Sequence, residues 1–356
     1  MHRQIAKFGR VMIGLFLLFF PVAGLLSRAQ QSSSQESPNA ANDAGPVVEA
    51  GIDSFAGYKE DRRSLSLGGS NLHALPPLLG EKDNYPDFTR EILAVQWRPG
   101  DPIHLYLMLP KKVKNPPAIL YLYSYPAEND RFRDEEFCRL LVQNGTAAIG
   151  FASALTDQRY HDRPMKEWFI SELEESLGTS VHDVQMILNY LRTRGDIDTS
   201  RIGMFGDGSG AAIAILAAAA DPRIKVLDLL EPWGDWPDWL AKSALVPEEE
   251  RAAYLKPEFL QRVEPLDPLK WLSQLSSRTV RLQLAPYETL TPSTARERLE
   301  KAMPAQAEIV RYENSKALHQ AASSGQFFDW IQARVRSAAG SNEATAVLKD
   351  PATRRE

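Results

Sequence analysis

The chain is nearly devoid of cysteine. Cys138 is the only one in 356 residues, so no internal disulfide can form and the fold must hold by packing, whatever compartment it occupies. Its neighbours Phe137 and Leu140-Leu141 mark a buried structural thiol rather than a reactive one. H-x-x-x-H and C-x-x-C spacings are also missing, so no metal site and no other cofactor is expected. No basic stripe interleaved with aromatics is present, and a net charge of −5 argues against a general phosphate-binding surface. Nucleic acid is therefore not an expected partner.

Long hydrophobic runs are scarce too. The one at the start, Val11 to Leu26, makes about 24 Å of helix, short of the roughly 30 Å hydrocarbon core, and Pro21 interrupts it. Arg3, Lys7 and Arg10 precede the run and Ser27-Arg28-Ala29 follows it, the pattern of an export signal over residues 1–29. The expected location is periplasmic or extracellular, with membrane contact only through this segment if it is retained as an anchor. Residues 30–50 open with "QQSSSQESPNAANDAGP", a polar, small-residue spacer, and residues 337–356 form a similar tail. Between them, 51–336 reads as one domain, and 44% hydrophobic residues suffice to bury a sizeable core.

Within that domain "REILAVQW" (90–97) and "IHLYLML" (103–109) flank a Pro-Gly-Asp turn as a hairpin. "AILYLYSY" (118–125) is a continuous apolar and aromatic run, suited to a strand buried on both faces. Helical patterning near 134–143 leads to the strand "TAAIGFA" (146–152). From Thr179, residues Val181, Val184, Ile187, Leu188 and Leu191 share one helical face, with Ser180 and Asp183 as an S-x-x-D cap at its start and His182 in its first turn. The strand "RIGMFG" (201–206) precedes a helix from Ala211 to Ala220, and "IKVLDLL" (224–230) is the next strand. A mostly helical, tryptophan-rich stretch then runs to Leu275. "VRLQLA" (280–285), "IVRYE" (309–313) and a helix over 325–335 close the domain. Strands alternating with helices predict a three-layer α/β architecture, a mostly parallel sheet covered on both faces with its site at the strands' carboxyl ends.

Three such ends carry candidate chemistry: "FGDGSGA" (205–211), "APYETLTPS" with Glu288, and "SKALHQAASS" with His319. Nucleophile region, acid, then histidine is the chain order of a Ser-acid-His triad, in which a carboxylate orients the imidazole that takes the nucleophile's proton. The bland readings are a solvated loop carboxylate for Glu288 and a packing or capping histidine for His319. Trp233, Trp236 and Trp239 in "EPWGDWPDW" allow either a pocket wall or a cap helix packed onto the sheet.

From about Pro86 to Val335 the chain resembles the α/β-hydrolase superfamily, near its dienelactone hydrolase, acetyl xylan esterase and prolyl oligopeptidase members. The resemblance rests on the hairpin start, "SVHDVQMILNYLRTRGDIDTSRIGMFG" and "EPLDPLKWLSQL". It implies a serine hydrolase acting without a metal on a small ester or peptide substrate, with Ser209, Glu288 and His319 as its catalytic residues.

The elbow departs from the family pattern. G-x-S-x-G placed on Gly206 and Gly210 seats Gly208, not Ser209, in the nucleophile's position, where the strained backbone suits glycine. In place of the family's His-Gly-Gly stretch stand Tyr123-Ser124-Tyr125, so Tyr123 and Ser124 are the oxyanion-side candidates, and Tyr125 with Trp233 would wall the pocket. Two functions stay open: an ester or peptide hydrolase working through Ser209, or a catalytically silent relative that binds a ligand or partner. A third is weaker. Gly206 to Ala211 also matches G-x-G-x-x-A, a dinucleotide-binding turn, with Glu231 near where a ribose-binding acid belongs.

Overall fold

The alternation of apolar runs and helical periodicity is realised as a nine-stranded sheet in the order β1-β2-β3-β5-β4-β6-β7-β8-β9. The structure is a computed structural model and describes residues 57–125, 130–155, 169–285 and 290–338, all within a unit beginning at Gly57. The proposed signal, the spacer, nearly all of the tail, Glu288 and His161 lie outside the described residues.

The strands are β1 Leu78–Asn84, β2 Phe88–Gln96, β3 Pro102–Pro110, β4 Pro117–Leu122, β5 Ala147–Phe151, β6 Asp198–Asp207, β7 Ile224–Leu230, β8 Thr279–Leu284 and β9 Glu308–Arg311. From β1 through β2 and β3 to β5 the pairing is antiparallel; from β5 onward it is parallel. The helices are α1 Glu135–Val142, α2 Leu173–Arg194, α3 Ser209–Ala220, α4 Trp236–Lys242, α5 Glu248–Tyr254, α6 Pro257–Val263, α7 Pro268–Trp271, α8 Ser293–Ala302, α9 Ser315–Ser323 and α10 Gln326–Ser337. α2 and α3 cover one face of the sheet, α1 and α10 the other, which gives the three layers expected. β4 is buried at every residue, as a strand with both faces covered must be.

Sequence periodicity missed the outer pieces. β1, "LLGEKDN", lies at the sheet edge with nearly every residue exposed, so no burial imposes an alternating pattern on it. α2 begins at Leu173, not Thr179. Ser180 and Asp183 are therefore mid-helix and do not cap it: the Ser180 hydroxyl donates to the Ser176 carbonyl and accepts from the Ala154 amide. His182, placed by sequence in a first turn, is buried at the helix centre.

These interior polar residues have a partner that no local pattern reveals. Residues 57–72 lie as a strap of turns and bends along α2, so close that a Cβ on Gly178 would collide with the Arg62 carbonyl oxygen and come within 2.8 Å of its carbon. Glu60 is clasped by Arg98 at 2.7 and 2.6 Å, and His182 places Nδ1 2.7 Å from Glu60 and Nε2 2.8 Å from the Ser64 carbonyl. Asp183 accepts from Arg98 and, at 2.9 Å, from Trp97 Nε1. Burial alone would raise the Glu60 pKa, but hydrogen bonds from Arg98 and His182 outweigh it and hold the carboxyl well below the usual carboxylate range. A carboxyl depressed in the folded state stabilises the protein above its unfolded pKa, roughly 4.3, and that contribution fades as pH falls. In urea titrations from neutral pH down to about pH 3, the wild type is expected to lose more stability than Glu60→Gln. Parallel curves would show that Glu60 is not ionised in the strap.

Candidate functional site

The strand order places β4 beside β6, while the chain leaves β4 toward β5 and then crosses back to β6. The carboxyl ends of β4 and β6 thus form the switch point where open α/β sheets build their sites. The turn from β6 into α3 sits there, and its shape follows from its glycines. A Cβ on Gly206 would lie 2.5 Å from Ala211 Cα, and one on Gly210 would strike the Leu122 carbonyl, 2.7 Å from its carbon. Strand and helix cross this closely only because both side chains are absent.

Gly208, between them, has φ 54° and ψ −111°, a conformation expensive for any residue with a Cβ. Its amide donates to the Leu230 carbonyl (2.9 Å), and its carbonyl accepts from the Trp233 amide (3.2 Å), locking the turn to the end of β7. The space a side chain would need is already occupied. A Cβ on Gly208 would collide with Ser124 Oγ, lie 2.9 Å from Ser124 Cβ and approach Trp233 Nε1 at 3.1 Å.

Ser209 is the first residue of α3 and is fully buried. Its hydroxyl accepts from the Tyr125 amide at 2.9 Å, while its own amide faces Ser124 Oγ at 3.5 Å. Sequence reading placed the oxyanion donors on this amide and on the stretch after β4. In the structure the hydroxyls of Ser209 and Ser124 take up these amides, which cross-link the two loops. Ser124 was named only as a possible donor, and its hydroxyl instead accepts. The available signal was a small polar residue between two tyrosines at the end of an apolar strand.

The other candidates fall elsewhere. His319 lies on α9, exposed, with Nδ1 2.7 Å from the Ser315 carbonyl of its own helix. No hydrogen bond joins it to Ser209. Tyr123 points into the opposite core layer among Phe132, Phe137 and Phe205, with the Arg131 guanidinium 3.7 Å over its ring. Burial pushes its pKa above the ordinary tyrosine range, and its ring packs in that layer rather than toward the elbow. Tyr125 is half-buried beside the turn. Trp233 is 1% exposed and stacks on Trp239 at 4.9 Å, with Trp236 edge-on at 5.7 Å. The tryptophans therefore pack α4 onto the sheet, and the pocket-wall reading of Trp233 is corrected. Asp267, from "EPLDPLKWLSQL", holds this packing by accepting from the Asp235 (2.8 Å), Trp236 (3.0 Å) and Leu269 (3.0 Å) amides.

Glu231 has φ 43°, accepts from the Ala285 amide at 2.5 Å and pairs with Arg296 at 2.9 Å. A buried carboxylate so engaged is not presented to a ribose, which removes the acid on which the dinucleotide reading relied. Among the described residues, no group of three or more His, Cys, Asp or Glu is placed to hold a metal ion.

No protein-family model matches the chain. It is similar to YtaP of Bacillus subtilis (strain 168), provisionally named a hydrolase, at 28% identity over 140 residues. That match covers 34% of this chain and 45% of the relative's length. Among solved structures, an acetyl xylan esterase from Paenibacillus sp. R4 superposes with a TM-score of 0.55 at 17% identity, covering 75% of this chain and 91% of that one. Acetyl xylan esterase 1 from Thermoanaerobacterium sp. JW/SL YS485 gives 0.54 at 13%, covering 73% and 89%. An S-formylglutathione hydrolase from Agrobacterium tumefaciens gives 0.52 at 12%, covering 72% and 99%. At such identities the likeness speaks for the fold.

Proposed function

We propose that this chain, which has the α/β-hydrolase fold, descends from serine hydrolases and has lost their nucleophile, serving instead as a non-hydrolytic protein that binds a small-molecule ligand or a partner. One observation carries the reading. The residue with φ 54° and ψ −111°, at the tight crossing of β6 and α3, is Gly208, and Ser124 fills the space its side chain would need. Nucleophilic catalysis needs a hydroxyl within reach of a base, and the adjacent Ser209 is buried with its hydroxyl accepting from a backbone amide. His319, on the surface of α9, is tied to its own helix. The basic start, apolar run and small residues of 1–29 support export.

A second reading keeps hydrolysis of an ester or peptide through Ser209, with His319 as base and Glu288 as orienting acid. It is favoured by the esterase structures the chain resembles and by the hydrolase name of its Bacillus relative. Treating the purified full chain with a fluorophosphonate probe separates the two. No labelling and no turnover of short-chain nitrophenyl esters is expected; labelling that Ser209→Ala abolishes would establish the hydrolase.

A further inference from the structure

We propose that the edge of the sheet opposite the elbow is a docking surface for an anionic phospholipid bilayer. All parallel strands begin at this edge, and β3 ends there. It gathers Lys112 and Lys114 of the β3–β4 turn, Arg192 of the last turn of α2, and Lys225 near the start of β7, all exposed. Arg336 adds to them from the last turn of α10, whose carbonyl accepts from Arg201 at the start of β6 (3.1 Å).

None of Lys112, Lys114, Arg192, Lys225 and Arg336 forms an ion pair with a carboxylate among the described residues. Asp196, Asp198 and Asp221 on the same edge pair with Arg194, Arg201 and Arg223, Arg194 also pairing with Glu91, and Glu308 at the start of β9 accepts from Trp330 Nε1. An acidic protein of net charge −5 thus carries a rim of uncompensated positive charge. Such segregation generates a field that a total charge conceals. Lysines and arginines close to an anionic leaflet are each attracted to it, and their contributions accumulate along such a rim.

Two features favour a bilayer over another polyanion. Val113, one of the large hydrophobic residues left exposed (38%), sits at the tip of the turn between Lys112 and Lys114, as an interfacial apolar contact flanked by cations would. The apolar run Val11 to Leu26, retained as an anchor, would tether the chain to the same kind of surface. Docked by this rim, the protein turns the carboxyl edge with Gly208 away from the lipid.

The test is sedimentation of the full chain with vesicles of phosphatidylcholine alone and of equal parts phosphatidylcholine and phosphatidylglycerol. The wild type is expected to prefer the anionic vesicles at least about tenfold at low salt and to lose that preference at high salt. Combining Lys112→Glu, Lys114→Glu, Arg192→Glu and Lys225→Glu should abolish the preference with an unchanged melting midpoint, since none of the four side chains has an ion-pair partner among the described residues. The same four changed to Gln should lower it by an intermediate amount, which keeps the test valid if charge reversal perturbs folding. Replacing Arg3, Lys7 and Arg10 by Ser should leave most of it. The proposal is overturned if the reversed variant keeps the preference or if the Arg3/Lys7/Arg10 change removes it. Binding to heparin without preference for anionic vesicles would also overturn it.

Discussion

Gly208→Ser is expected to lower the unfolding free energy by about 2–6 kcal/mol and to yield no esterase. Two costs combine. A residue with a Cβ at φ 54° carries backbone strain of roughly 1–3 kcal/mol, and overpacking a filled site adds roughly 1–3 kcal/mol more. The overpacking is specific, because the new Cβ meets Ser124 Oγ and lies 2.9 Å from Ser124 Cβ. Adding Ser124→Gly to Gly208→Ser should therefore recover the packing part while the backbone part remains. Urea unfolding of both variants measures the difference. A Gly208→Ser protein as stable as wild type would mean that Ser124 does not fill the seat. Turnover of nitrophenyl esters should stay at background in both, since His319, the candidate base among the described residues, is exposed with Nδ1 bound to Ser315. Supplying a hydroxyl at one position does not supply the surroundings that would activate it.

Asp183→Ala should destabilise the protein by about 3–5 kcal/mol, the usual cost of removing one partner from a buried ion pair. Asp183 and Arg98 expose 0% and 3% of their side chains, and the loss also strands Trp97 Nε1. Arg98→Met should be comparably damaging because it leaves Glu60 and Asp183 facing each other's surroundings without their shared cation. The double variant should cost less than the sum of the two, since both remove the same interaction. Strict additivity in urea unfolding would show that the pair is not coupled and that the strap is held by its other contacts.

Much of this architecture was legible along the chain. The continuous apolar runs of β4 and β7 and the one-sided periodicity of the second half of α2 gave nearly correct elements, because their burial is dense enough to impose a pattern. The glycines of the elbow were legible for a different reason: a helix and a strand crossing at contact distance admit no Cβ, so the constraint is written into single residues. β1, exposed along its length, carries no such imprint. α9 was missed for the same reason, since it buries none of its residues fully. His319 was therefore read only as following the last strand, without the helix that carries it.

By itself, then, the sequence determined the layered sheet, the order of the strand ends and glycine's tenancy of position 208, all consequences of local sterics and repeated burial. Only the tertiary structure decided what surrounds that glycine. The Ser124 hydroxyl faces the Ser209 amide, the Ser209 hydroxyl accepts from the Tyr125 amide, and Trp233 closes on the turn from another strand end. It also decided that Ser180, His182 and Asp183 belong to a buried junction with Glu60 and Arg98, and that cations scattered from Lys112 to Arg336 share one rim. Hydrogen-bond partners and fields depend on which residues meet across the sheet, and spacing along the chain does not encode those meetings.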